Sequence, residues 1–329
     1  MALTFSRKEL QDSKSMTKQR LQEITVRLLE KLNNNESLTL AESKFICLNL
    51  KTIYSADTDE IAFKAENFKQ CSDFLFWEKY ILYWSDHEGW GQIKDSKTTF
   101  VSPSQKVQDV ELLQMHYEQW REIIYGDTFP NTMIQTIANE TKRLIKELTT
   151  ISKDRGEGAN HQRYIEKALI LHSKYLYYQV QEFYEENNPV EETINLCGEL
   201  VVIDNFVYIH TLFGHFAAAI KFGRSGKSYH SVDKVDYKNL PKEILSILAI
   251  FSKTVDCKHF DKQSIFFNYH GSDFAIWFRP LARSVKKIGQ QSILRVQTFY
   301  PVELADDLKK IAVAQKVKAN DDLYFYIPT

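Results

Sequence analysis

The chain has 329 residues, with 42 Lys and Arg against 43 Asp and Glu, and is 43% hydrophobic. That composition is ordinary for a soluble globular protein, and the length suits roughly two domains. Eleven Gly and seven Pro are too few for a collagen-like, disordered or loop-rich β-sandwich chain, while 13% aromatic residues supply ample material for a core.

Four cysteines, Cys47, Cys71, Cys197 and Cys257, lie 24, 126 and 60 residues apart. No CxxC pair occurs, so zinc-knuckle and thioredoxin-type motifs are absent, and buried thiols in a reducing compartment are expected. The first twenty residues hold no apolar core of signal-peptide length. The longest nearly apolar stretch, residues 206–220, is interrupted by His210 and His215 and is too short to span a bilayer. The expectation is a cytoplasmic protein without membrane contact.

The near-neutral total hides an asymmetry. Residues 201–329 carry 18 Lys and Arg against 12 Asp and Glu, a net of +6, and residues 1–200 carry 24 against 31, a net of -7. Five of the nine histidines (His210, His215, His230, His259, His270) fall in the basic part. Such a split suits a polyanionic partner for the C-terminal part, although a solvated surface carries the same charge.

Helical spacing of Leu10, Leu21, Ile24, Leu28 and Leu32 predicts one helix over residues 6–33, ended by a polar Asn run. A second helix is predicted over 40–54 and a third, strongly aromatic one over 68–84. Residues 84–103 read as loop with a short hairpin. Helices follow over 108–125, with Val110, Leu113, Tyr117, Trp120 and Ile124 on one stripe, over 133–151, and over 161–186, closed by Asn187-Asn188-Pro189. Residues 1–190 therefore read as an all-α domain.

Beyond Pro189 the pattern changes to α+β, over 199–329. A short strand is predicted over 199–203, and Asp204 is placed to cap a helix over 205–221. A polar loop spans 222–240, and Pro241 opens a helix over 242–254. Strands are predicted over 263–269 and 273–279, turned by His270-Gly271-Ser272, and over 291–299, stopped by Pro301. In that third strand Ile293, Arg295 and Gln297 alternate against Ser292, Leu294, Val296 and Thr298. A helix over 302–317 and a strand over 323–327 complete a domain with three or four antiparallel strands.

The loop Gly223-Arg224-Ser225-Gly226-Lys227-Ser228 invites a nucleotide-binding reading, but a Walker A loop needs Gly where Lys221 stands. Arg224, Lys227 and Ser228 still suit a phosphate of another ligand. His210 and His215 differ by about 140° around a helix, and no HExxH or HxxxH occurs, so no metal site and no cofactor is expected. No GxSxG elbow occurs, which leaves a covalent hydrolase without support.

One constellation remains: a helix with His215, a basic loop with Arg224, Lys227 and His230, a second helix, then strands presenting Tyr269, Arg279, Arg295, Thr298 and Tyr300. In element order and residue character, HTLFGHFAAAIKFGRSGKSYH, LPKEILSILAIFSK, SIFFNYHGSDFAIWFRP and SILRVQTFYP resemble the barnase–EndoU–colicin–RelE-like superfamily of small RNases, notably its phage-associated branches. The resemblance covers roughly residues 200–302. It implies an RNase-like domain acting in phage, toxin or defence biology.

Metal-free RNA cleavage needs a base for the 2′-hydroxyl, an acid for the leaving oxygen, and cations around the transition state. His215 and His230 fit the first two roles in either order, and Arg279 and Lys227 the third. Thr298 or Tyr300 could orient the phosphate, and Tyr269 or Phe274 could stack on a base. Arg224, Ser228 and Arg295 complete the expected RNA contacts. Each residue also has a plainer role: His215 and His210 as core histidines, His270 as a turn residue, Arg279 as a local cap, Tyr300 at a strand end, and His230 idle in an exposed loop. The helical domain is expected to bind an inhibitor or partner protein. The competing readings are a non-catalytic helical interaction or nucleic-acid-binding protein, and an enzyme acting on a small phosphorylated metabolite.

Overall fold

Strands interrupt the helical reading of the N-terminal part. The computed structural model describes residues 5–6, 9–10, 15–34, 36, 38–39, 41–42, 45, 51–53, 61–64, 82–86, 89–94, 97–100, 102–187, 191–216, 228, 230, 235–285 and 289–328. It separates into one unit of residues 1–178 with 217–222 and another of 179–216 with 223–329.

The first unit opens with α1 (Lys18–Asn33), so the first predicted helix starts its described run later than residue 6. Five strands follow: β1 (Lys51–Ile53), β2 (Ile61–Lys64), β3 (Leu82–Asp86), β4 (Gly89–Lys94) and β5 (Lys97–Phe100). They form an antiparallel sheet in the order β2-β1-β3-β4-β5. The all-α expectation for residues 1–190 is corrected here, as are the predicted helices where they reach residues 51–53 and 82–84. Leu82-Tyr83-Trp84 and Lys97-Thr98-Thr99-Phe100 are rich in aromatic and β-branched residues, which favour a pleated surface once neighbouring strands supply partners. The remaining positions of the aromatic helix predicted over 68–84 lie outside the described residues.

Three long helices match their predicted positions: α2 (Pro103–Tyr125), α3 (Thr132–Asp154) and α4 (Ala159–Asn187). Ser102 Oγ accepts from the Gln105 amide and Asn131 Oδ1 from the Ile134 amide, caps worth about 1 kcal/mol each. The whole predicted stripe from Val110 to Ile124 is buried, and Trp120 Nε1 donates to Ser173 Oγ on α4 at 2.7 Å. His172 is enclosed in the same core, where burial pulls its imidazole down to about 3.

The second unit is α+β. Its sheet runs β11-β12-β8-β9-β10-β7-β6, built from β6 (Glu191–Leu196), β7 (Glu199–Asp204), β8 (Ser264–Tyr269), β9 (Ser272–Val285), β10 (Gly289–Pro301), β11 (Gln315–Lys318) and β12 (Leu323–Ile327). Every neighbouring pair is antiparallel except β10 and β7, which run parallel. The expected three or four antiparallel strands thus become seven in a mixed sheet. Two-residue turns with both residues at positive φ, Cys197-Gly198 and His270-Gly271, close the β6–β7 and β8–β9 hairpins. That backbone matches strand twist, which is why a glycine ends each turn.

Asp204 Oδ1 accepts from the Phe206 amide at 3.0 Å, as predicted, and starts α5 (Asn205–Thr211). A single π-helical turn, Leu212–Phe216, follows, and the predicted continuation to residue 221 lies outside the described residues. Pro241 stands in the first turn of α6 (Leu240–Thr254). The predicted last helix is corrected: α7 (Ala305–Ala312) is short, and Gln315–Lys318 form β11 instead. Pairing with β12 outweighs the helix propensity of Gln and Lys there.

Cys197 and Cys257 form a disulfide with their Cα atoms 5.1 Å apart. The expectation of separate buried thiols is corrected for this pair, since Cys257 is exposed and Cys197 half-buried. Cys47 and Cys71 lie outside the described residues. Among the described residues, no helix is long and apolar enough to cross a membrane.

Candidate functional site

Strands β9 and β10 build two different surfaces from alternate residues. Successive strand side chains point to opposite sides, and directly paired residues share a side. Phe274, Ile276 and Phe278, with their partners Phe299 and Val296, are buried. They belong to the side packed by the helices, where Phe278 meets the Phe260 ring and Phe325 on β12 meets Phe251 of α6. Ala275, Trp277 and Arg279 take the other side, opposite Tyr300, Thr298 and Arg295.

Of the two candidate acid–base residues, His230 packs on the first side, while His215 stacks on Tyr300 of the other. His230 has no exposed surface, and its ring stacks between Phe216 at 4.4 Å and Phe274 at 5.4 Å, with Phe299 edge-on at 4.8 Å. His230 Nε2 donates to the Phe299 carbonyl at 2.9 Å, and His215 Nδ1 donates to the Ser228 carbonyl at 2.8 Å, since a carbonyl only accepts. The His230 amide donates to the His215 carbonyl at 2.8 Å, and the two rings stand 6.3 Å apart. His215 is 6% exposed and stacks on Tyr300. Acid–base work needs hydrogen-bond reach to a substrate. These rings instead join the π-helical turn, Ser228, His230 and β10 through backbone carbonyls. The exposed-loop reading of His230 is corrected by its enclosure.

The structure therefore does not bring His215, His230 and Arg279 into one cleft. Phe274 and Ser228 are buried as well, so neither is presented for base stacking or phosphate contact as expected. Tyr269 is half-buried against His270 at the hairpin end, and His270 is a turn residue as its glycine neighbour implied. Arg224 and Lys227 lie outside the described residues.

Four predicted residues do gather, on the second side. Arg279 and Arg295 pair directly across the strands, Thr298 pairs with Trp277, and Tyr300 with Ala275. The expected alternation put Arg295 and Thr298 on opposite sides. A β-bulge between Val296 and Thr298 brings them to the same one, because the extra residue, Gln297, shifts the parity. Arg279 is exposed, and among the described residues no carboxylate lies within ion-pair distance of it. Arg295 is half-buried, with its guanidinium 4.0 Å over the Phe206 ring, a cation–π arrangement. Phe206 stacks in turn on His210 at 5.3 Å. Burial lowers the Arg295 pKa, Asp204 raises it and Arg279 lowers it further. The Nε of Arg295 and the Oγ1 of Thr298 are buried without hydrogen-bond partners among the described residues.

Sequence reading passed over Trp277, which is 45% exposed between these positions and the rest of the sheet. Its signal was the parity of Asp273-Phe274-Ala275-Ile276-Trp277-Phe278-Arg279: a core on Phe274, Ile276 and Phe278 sends Trp277 outward with Arg279. Tyr300 is buried beneath it, and its hydroxyl donates to Asp307 Oδ2 at 3.0 Å. Burial first, and then Asp307, raise the Tyr300 phenol above its ordinary range. Lys310 holds the other Asp307 oxygen at 2.8 Å.

Trp277 also walls a cleft of about 520 Å³ with Phe266, Ile311, Val313, Tyr326 and Lys310. Asp261 and Gln263 supply polar groups to its lining. Among the described residues no group of three or more His, Cys, Asp and Glu is placed to hold a metal ion. No protein family, no curated protein and no solved structure is matched by the chain.

Proposed function

We propose that the second unit binds single-stranded nucleic acid on the β9–β10 face and does not cleave it. The observation that carries this reading is the directly paired Arg279 and Arg295 beside the exposed Trp277. Like charges placed opposite each other on a sheet weaken it. A bound phosphate turns that repulsion into attraction, and an exposed aromatic ring stacks any base. The excess of 18 basic over 12 acidic residues after residue 200 favours the same partner. The enclosed histidines supply no proton acceptor at this face, which favours binding over cleavage.

The test is anisotropy of labelled single-stranded RNA and DNA 15-mers across a salt series. Expected are binding at low salt that weakens steeply as salt rises, and RNA recovered intact after long incubation in EDTA. Arg279→Glu should weaken binding at least tenfold. Absence of binding to either strand type at low salt overturns the proposal, and cyclic-phosphate ends on recovered RNA would restore the nuclease reading.

A further inference from the structure

We infer that the cleft beside Trp277 receives a single nucleobase of a strand whose phosphates lie on Arg279 and Arg295. This rests on the nucleic-acid reading and adds a site to it. Trp277 belongs to both regions: Arg279 follows it by two residues on the same side of β9, and its ring lines the cleft. Two strand residues span about 6.8 Å, a step comparable to the reach from a phosphate to its own base.

The cleft suits a flat aromatic ligand. Its volume of about 520 Å³ falls within the range of small-molecule sites, and its lining mixes apolar walls with a few polar groups. Trp277 and Phe266 offer ring surfaces, while Val313, 71% exposed, stands at the mouth. Lys310, ion-paired with Asp307, lies 5.3 Å from the Phe266 ring and adds its aliphatic stem to the same wall. Asp261 Oδ1 accepts the Gln263 and Ser264 amides at 2.7 and 3.0 Å. Among the described residues its second oxygen and the Gln263 side chain take no other hydrogen bond and can meet the donor and acceptor groups of a base edge. A purely apolar ligand would gain nothing from those polar groups, and a free phosphate would leave the aromatic walls unused.

The test compares a single-stranded 15-mer with an abasic oligonucleotide of the same length and charge, on the full chain. The abasic strand should bind at least tenfold more weakly. That difference should vanish in Trp277→Ala and in Ala314→Leu, which adds bulk inside the cleft and leaves both arginines in place; circular dichroism verifies that each variant is folded. Equal binding of the two strands, with sensitivity to Arg279→Glu retained, overturns the base site and leaves the nucleic-acid reading standing. Loss of the difference in Trp277→Ala alone also overturns it, because the base then stacks on an open ring rather than entering the cleft. Failure of both strands to bind overturns both readings together.

Discussion

The same two strands seal His230 against one side and present the exposed Arg279, paired with the half-buried Arg295, on the other. His230 is held by Phe216, Phe274 and Phe299, and its Nε2 is satisfied by a backbone carbonyl. Arg279 faces outward, opposite a second cation. Both sets consist of residue types that chemistry favours, and what separates packing from presentation is the surroundings: aromatic rings enclose His230, while the parity of β9 turns Arg279 outward. A list of suitable side chains thus has little force until each is assigned to a side of the sheet.

The contrast breaks first on stability. His230→Ala empties a fully packed aromatic slot, and by analogy with large-to-small core changes the loss is about 3–5 kcal/mol. Urea denaturation would show it, while oligonucleotide affinity per folded molecule should stay unchanged. If the variant keeps its stability and loses binding, the two regions have exchanged roles.

Replacing Cys197 and Cys257 together by Ser opens a loop of 60 residues that contains the whole histidine pair. Chain-entropy arguments give about 4 kcal/mol for such a loop. Denaturation of the oxidised protein against the double variant measures it. The arginine face should keep its affinity wherever the second unit remains folded.

On the open side the order of effects reverses. Arg279→Ala should weaken nucleic-acid binding about tenfold, equivalent to about 1.4 kcal/mol. Its stability should hold or rise by a few tenths of a kcal/mol as the like-charge pair is relieved. A loss above about 1 kcal/mol in thermal denaturation would show that Arg279 has a structural duty.

The smallest effect concerns Glu243 on α6. Burial raises its carboxyl pKa to about 7, with Asp236 adding to the rise and the Asp236 backbone opposing it. An acid whose folded pKa exceeds its unfolded value holds more protons when folded. Stability from this group therefore falls as pH rises from about 4.5 to about 7 and is constant above that. Glu243→Gln should flatten that part of the stability profile, and an unchanged profile would place the pH dependence elsewhere.

Much of the helical architecture was legible. The buried stripe Val110, Leu113, Tyr117, Trp120, Ile124 repeats at 3.6 residues, and Asp204 and Pro241 mark helix starts by local chemistry alone. Of the sheet over residues 51–100 only the hairpin expected within 84–103 was legible, as β4 and β5; the other short strands leave no lasting period and gain their partners from distant segments. β6 escaped for the same reason, and β11 because its residues individually favour helix. At the candidate site, Arg279, Arg295, Thr298 and Tyr300 were found by residue type and strand position. The bulge at Gln297 has no local signature, so the strict alternation of Ser292 to Thr298 misplaced Thr298. Nor did sequence spacing reveal that Cys197 and Cys257 meet, since their approach depends on α6 returning along the β6–β7 hairpin.

The parallel contact of β10 beside β7 has a consequence for synthesis. The ribosome releases β6 and β7 well before β10 emerges, and until then these strands form a two-stranded ribbon of marginal stability in water. A chain interrupted anywhere before residue 289 leaves that ribbon without its inner neighbour. A premature stop at any position of the second unit before residue 289 should therefore abolish that unit as a whole instead of trimming it.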